Sequence, residues 1–182
     1  MKPEEMITAV EELTHESFDS DAWMQWFNEG LQDLAPVIKI EGYDEFDVNG
    51  TSRELPGDIF KILEVRLNNR KLNNYGINSE KEDAYWIWDG MICFPKDRTG
   101  RIKLWYFRRP AKFTLGSARP DIQEGWEDAV ILYAAAKSKM PDRWLQDKND
   151  FYQEYLIRKA QIEKERNEQL ARPRIAVARR WR

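Results

Sequence analysis

The stretch Leu104–Thr114, LWYFRRPAKFT, decides how the chain is read. Apolar and aromatic residues run up to Arg108-Arg109, and Pro110 then ends the pattern. On a strand, Leu104, Tyr106 and Arg108 share one face, and Trp105, Phe107 and Arg109 the other. Both faces are apolar until the arginines, which predicts a strand buried between layers. Pro110 cannot donate to a ladder, and Pro120 suits the first turn of a helix. The segment RRPAKFTLGSARPD (108–121) is therefore the return path from a sheet to a helical layer. A base-stacking nucleic-acid surface also mixes aromatics with arginines, but it displays its aromatics on one exposed face.

Upstream, residues 3–16 read as a helix with Ile7, Val10, Glu11 and Leu13-Thr14 at helical spacing. Asp19 or Ser20 caps a second helix, in which Trp23, Trp26, Phe27, Gly30, Leu31 and Leu34 form a broad apolar face and Pro36 marks the end. The two helices form a hairpin. Between Val37 and Phe113 the period shifts towards two. VIKIEGYDEFDV is a short strand followed by an acidic loop, and NGTS is a turn. LPGDIFKILEVRLNN turns into a strand with Ile62, Leu63, Val65 and Leu67 as its apolar positions. AYWIWDGMICFP is two strands joined at Asp89-Gly90. GRIKLWYFRR is a further strand after KDRTG, and NRKLNNYGINSEKED is an exposed polar excursion.

Downstream, a helix opens at Pro120 with Ile122, Trp126, Ala129, Val130, Tyr133 and Ala134 on its apolar side. Ala134, Ala135 and Ala136 permit close helix approach. A long helix follows from about Trp144 to Leu170, with the stripe Phe151, Tyr155, Leu156 and Ile162. Its charged end, QIEKERNEQL, projects from the core or leans on a neighbouring chain. The fold class is α+β: about four helices in a bundle, an antiparallel β-sheet or sandwich inserted between them, and an extended tail. The expected organisation is 1–35, N-terminal helical hairpin; 36–114, β-rich insertion; 115–171, C-terminal helices packing on the hairpin; and 172–182, basic tail.

Charge is distributed unevenly along the 182 residues. Fifteen acids face three bases in residues 1–60, whereas the last eleven residues, RPRIAVARRWR, hold five arginines and no acid. Such a tail docks onto a partner or stays solvated. No apolar run reaches the roughly 20 residues that span a bilayer, and the acidic N-terminus lacks a signal-peptide core.

Chemistry-bearing motifs are absent from the sequence. His15 is the sole histidine and Cys93 the sole cysteine, so neither a disulfide nor a multi-cysteine metal site can form within one chain. Cys93 lies in the apolar run MICFP and reads as an inert buried thiol. No phosphate-cradling, nucleophile-elbow or zinc-helix pattern occurs. An enzyme and a metal or organic cofactor are accordingly not expected. The runner-up reading is a non-enzymatic DNA-binding accessory protein that uses the basic-aromatic strand and the arginine tail. The excess of acid in the first third opposes it.

The order of these parts resembles the head-to-tail adaptor (connector, neck) proteins of tailed bacteriophages, including the tail tubular adaptors of short-tailed phages. The resemblance covers about residues 3–170. It is carried by Leu55, Pro56 and Phe60, by Phe94 and Pro95, and by Trp105, Tyr106 and Pro110. Pro120, Ile122, Trp126, Ala129, Tyr133 and Ala134 carry the rest of it. Phe60 comes one residue later than in the family pattern.

The resemblance implies a structural virion protein in the neck or tail, assembled in the host bacterial cytoplasm. It implies a homo-oligomeric ring, normally of twelve copies, below the portal protein. Such a ring extends the DNA channel, passes double-stranded DNA without binding it specifically, and seats the next neck, tail-completion or tail-tube protein. No membrane partner is implied. The tail becomes the portal-docking element, with Arg172, Arg174, Arg179, Arg180 and Arg182 pairing with acids and Ile175, Val177 and Trp181 as anchors. Trp86, Trp88, Arg108 and Arg109 are candidate contacts to a tail protein or a neighbouring subunit.

Overall fold

The structure, a computed structural model, describes residues 1–77, 79–139 and 145–171. Helices α1 (Pro3–Thr14) and α2 (Ser20–Ile38) precede strands β1 (Ile40–Glu54), β2 (Ile59–Leu67), β3 (Arg70–Asn74), β4 (Ala84–Trp88) and β5 (Met91–Arg108); α3 (Glu127–Ser138) and α4 (Leu145–Ala171) follow. The fold is α+β, four helices with a five-stranded sheet. The chain divides into two compact units, Met1–Ile38 with the described part of Lys112–Arg182, and Lys39–Ala111.

In the helical unit α3 is central, and α1, α2 and α4 all pack on it. Its composition explains why. Ala129, Val130, Ala134, Ala135 and Ala136 are buried, and small side chains let the neighbours approach. Gly30 of α2 lies against the Tyr133 ring, where an added Cβ would come within 3.1 Å of ring carbon. α1 contributes Met6, Val10 and Thr14, one turn apart, whereas Leu13 is exposed. α2 buries Trp23, Phe27, Leu31 and Leu34, and Phe18, Trp23 and Trp26 stack edge to face at 5.1–5.3 Å.

Three helix boundaries differ from those expected. α1 ends at Thr14 because His15 turns left-handed at φ 55. α2 runs through Pro36 to Ile38. Proline removes only one hydrogen bond so near a helix end, and the buried Val37 and Ile38 hold the last turn in place. α3 starts at Glu127 rather than at Pro120, because Gly125 (φ 90) breaks the helical path. Trp144 lies outside the described residues.

The charged end of α4 does not project. Its residues clamp the start of α3: Arg158 donates to Asp128 (2.7 Å) and to the Gly125 carbonyl (2.8 Å), while Glu165 accepts from Trp126 Nε1 (2.9 Å). Tyr155 and Ile162 are fully buried, and Leu156 of the expected stripe is exposed.

In the sheet unit the strand order is β1-β5-β2-β3-β4, and β4 pairs back onto β5, so the sheet folds over on itself. β5 is one strand of 18 residues that runs through KDRTG, and β1 is one of 15 that runs through NGTS. The two turn-like segments lie opposite each other, with Val48 facing Gly100, Asn49 facing Thr99 and Gly50 facing Arg98. Next to them the register jumps from Gly50–Arg98 to Ser52–Cys93, leaving residues 94–97 of β5 as a wide bulge. Pro95 sits in that bulge, where no ladder donor is needed.

The fold-over encloses Val48, Val65, Leu72, Tyr85, Ile92, Phe94, Ile102, Leu104 and Tyr106. Only one face of the LWYF strand is therefore core, and Trp105 and Phe107 are half-buried on the other face. The polar excursion after β2 is not wholly loop. Asn68 and Asn69 (φ 49 and 67) make a tight hairpin turn, and β3 inserts Leu72 into the core. One short pairing, β3 with β4, is parallel.

Two measurements test this account. Asp89 and Gly90 both have positive φ (48 and 72), so Gly90→Val should lower stability by about 1–3 kcal/mol in urea unfolding, while Asp89→Gly should not. In the helical unit, burial pushes the Asp33 carboxyl up, but hydrogen bonds from Lys159 (2.6 Å) and Tyr155 outweigh it and hold the pKa below the usual range. A depressed folded-state value gives stability that is complete above the unfolded pKa, near pH 4, and lost as pH falls through the folded value. The stability gap between the wild type and Asp33→Asn should therefore narrow as unfolding is measured below about pH 4.

Candidate functional site

The four exposed-contact candidates gather at one end of the sheet unit. Trp86 and Trp88 are on β4, paired with Cys93 and Met91, and the Asp89-Gly90 turn follows them. Arg108 ends β5, facing Ile40 on one side and Ile59 on the other. The connector Leu55–Asp58 joins these places. The Leu55 amide donates to the Gly90 carbonyl (2.9 Å), and the Arg109 amide donates to the Asp58 carbonyl (2.7 Å). Four connector residues span on the order of 11 Å, so the tryptophan turn and the two arginines flank one short loop. Trp88 is 62% exposed and Trp86 half-buried. Arg109 is exposed, while Arg108 is half-buried with its guanidinium on the Arg109 carbonyl (3.3 Å).

Further exposed apolar side chains were not anticipated. Phe60 and Leu63 are 41% and 46% exposed, because β2 shifts register against β5 at both positions. Leu63 is thus a bulge residue and not a core residue. The doublets Ile59-Phe60 and Ile62-Leu63 carry the signal: strict period-two alternation cannot bury adjacent apolar residues. The tail candidates, Arg172, Arg174, Ile175, Val177, Arg179, Arg180, Trp181 and Arg182, lie outside the described residues.

The outer face of the LWYF strand is electrically balanced. Trp105 is stacked between Tyr43 (5.2 Å) and the Arg66 guanidinium (5.4 Å). Glu64 holds Arg66, and Arg101 lies 3.5 Å from both Glu45 and Asp47. Register places Glu41, Glu45, Asp47 and Glu64 among Lys61, Arg66, Arg101 and Lys103. A phosphate-binding surface needs an excess of bases, which this face lacks.

In the helical unit a groove of about 1050 Å³ runs along α2, lined by Met24, Asn28, Asp33, Phe113, Leu115 and Tyr133. Asn28 fixes its far wall by exchanging hydrogen bonds with the Phe113 backbone (2.8 Å each way). The carboxyls here are partners of lysines. Glu29 lies 3.0 Å from Lys137, and Asp33 2.6 Å from Lys159. Hydrogen bonds from Gln25 and Lys137 hold Glu29 below the usual carboxylate range. A general acid at neutral pH needs the opposite shift.

Elsewhere, burial pushes the Cys93 thiol up, away from the reactive thiolate. His15 ends α1. Among the described residues no group of three metal-ligating side chains converges, and no helix is long and apolar enough to cross a membrane.

The geometry is that of a scaffold: two compact units, an exposed aromatic end and carboxylates neutralised by lysines. No curated protein matches the chain. The family model of the SU10 adaptor protein matches residues 1–180, nearly the whole chain. The protein belongs to the SU10 adaptor protein family of phage head-to-tail adaptors and has a structural role in the virion.

Proposed function

We propose that the protein forms a ring beneath the portal of the filled head, extends the DNA channel, and seats the next neck or tail protein. The observation that carries this reading is the extent of the family match. It continues past the end of α4 to residue 180 and so includes most of the arginine-rich tail. A segment with five arginines, three apolar anchors and no acid suits a crevice that offers carboxylates and apolar pockets. In this reading the tail occupies such a crevice on the portal, one tail per portal subunit, giving twelve copies.

The exposed end of the sheet unit, with Trp88, Ile87 and Arg109, is the platform for the neighbouring subunit or the next protein. Aromatic and arginine side chains dominate protein interfaces because they remove large areas from water at little conformational cost. The acids of the first third of the chain keep passing DNA from adhering where they line the channel. Assembly takes place in the host cytoplasm, and no enzymatic step or cofactor enters the scheme.

Mass photometry of purified portal rings mixed with the protein tests this. The full chain should load the portal up to about one copy per portal subunit, and a version ending at Ala171 should fail to load. Trp88→Ala with Arg109→Ala should leave portal loading intact and weaken capture of the next neck protein. Equal loading by both versions would remove the tail from the mechanism. A monomer that ignores the portal but binds duplex DNA tightly at physiological salt would overturn the adaptor ring itself.

A further inference from the structure

We propose that the outer edge of β1 accepts one added strand, and that this strand is the arginine-rich segment 172–182 of a second copy of the chain. β1 is 15 residues long and, among the described residues, pairs with β5 alone. A long strand edge is a template for further pairing, and folded proteins blunt such edges with proline, lysine or a covering element. β1 contains no proline and no lysine, and among the described residues no strand covers it. It carries instead five carboxylates, Glu41, Asp44, Glu45, Asp47 and Glu54, against the single Arg53.

That charge selects the partner. Two β1 edges pairing with each other would set carboxylate against carboxylate, which is destabilising. A basic, extended segment meets complementary charge along the whole run. Residues 172–182 have that chemistry, with five arginines and no acid. Their pattern also has the period of a strand. Ile175, Val177 and Trp181 share one side, and Arg174, Ala176, Ala178, Arg180 and Arg182 share the other. Pro173 falls at the start, the position where an added strand tolerates proline.

The segment is eleven residues long, as is Tyr43–Arg53. With all eleven in the ladder none is left to act as a linker, so a second copy, free to choose its orientation, supplies the strand. This pairing does not depend on portal docking. The two acceptors compete for one segment, and the strand-added form is that of copies not seated on a portal.

The test uses hydrogen exchange and sedimentation on the full chain. A synthetic peptide of residues 172–182 is also titrated onto the version ending at Ala171, which retains every described element of the fold. The peptide should slow amide exchange within β1. Its affinity should fall about tenfold with Glu45→Lys and Asp47→Lys together, and also when salt is raised from about 0.1 to about 0.5 M. Glu45→Gln with Asp47→Asn, which is less prone to disturb folding, should give an intermediate loss. The full chain should self-associate with rising concentration, and the shortened one should not.

Protection that appears elsewhere, for example along the α2 groove, overturns the β1 assignment. Protection of β1 in a full chain that stays monomeric overturns the second copy, since each chain would then be using its own tail. Portal loading is measured separately, so a tail that binds the portal and leaves β1 unprotected sinks this proposal and spares the adaptor reading.

Discussion

The sheet depends on one strand. β5 supplies backbone partners to β1 along nearly all its length, to β2 in its second half and to β4 in its first. A straight strand could not do this within so few residues, because β2 and β4 would compete for the same edge. The bulge at residues 94–97 settles the competition by bending β5, so that each half offers that edge to a different neighbour. Pro95 makes the interruption permanent, since it has no amide hydrogen to restore the ladder. The core of this unit is what the bent strand encloses.

The helical unit is organised by size and charge instead of by a shared backbone. The run of alanines in α3 lowers the distance at which three other helices can pack, and Gly30 does the same from the α2 side. α4 buries few side chains along its length and is held by ion pairs and hydrogen bonds to the entrance of α3. Such contacts lose strength in salt, whereas the α1, α2 and α3 contacts do not. The two kinds of contact therefore respond differently to solution conditions within one unit.

Much of this was legible in the residues. The Asp89-Gly90 turn, the aromatic core of α2, the alanine face of α3 and the α+β order all follow from local rules applied to short windows. Strand length did not follow. NGTS and KDRTG each read as turns because each is polar and contains glycine, and only their position opposite each other shows that a two-stranded ribbon passes through both. Asn68-Asn69 was missed for the converse reason: two asparagines accept positive φ without announcing it as glycine does. The exposed Trp88 was legible as a residue, but its closeness to Arg109 was not. That closeness arises from two backbone hydrogen bonds to a connector far from both in sequence.

The ends of the sheet unit have a consequence for how such a chain can change. Ile40, where β1 begins, and Arg108, where β5 ends, are opposite each other on one rung of the ladder. Paired residues of antiparallel strands lie about 5 Å apart, so entry to and exit from the sheet occupy a single strand spacing. Everything between them is a cassette closed at its own base. It could lengthen, shrink or be exchanged for another β-module without altering the gap that the flanking chain must bridge. A lineage could thus remodel what the sheet presents to its neighbours while leaving the helical sequence on either side untouched.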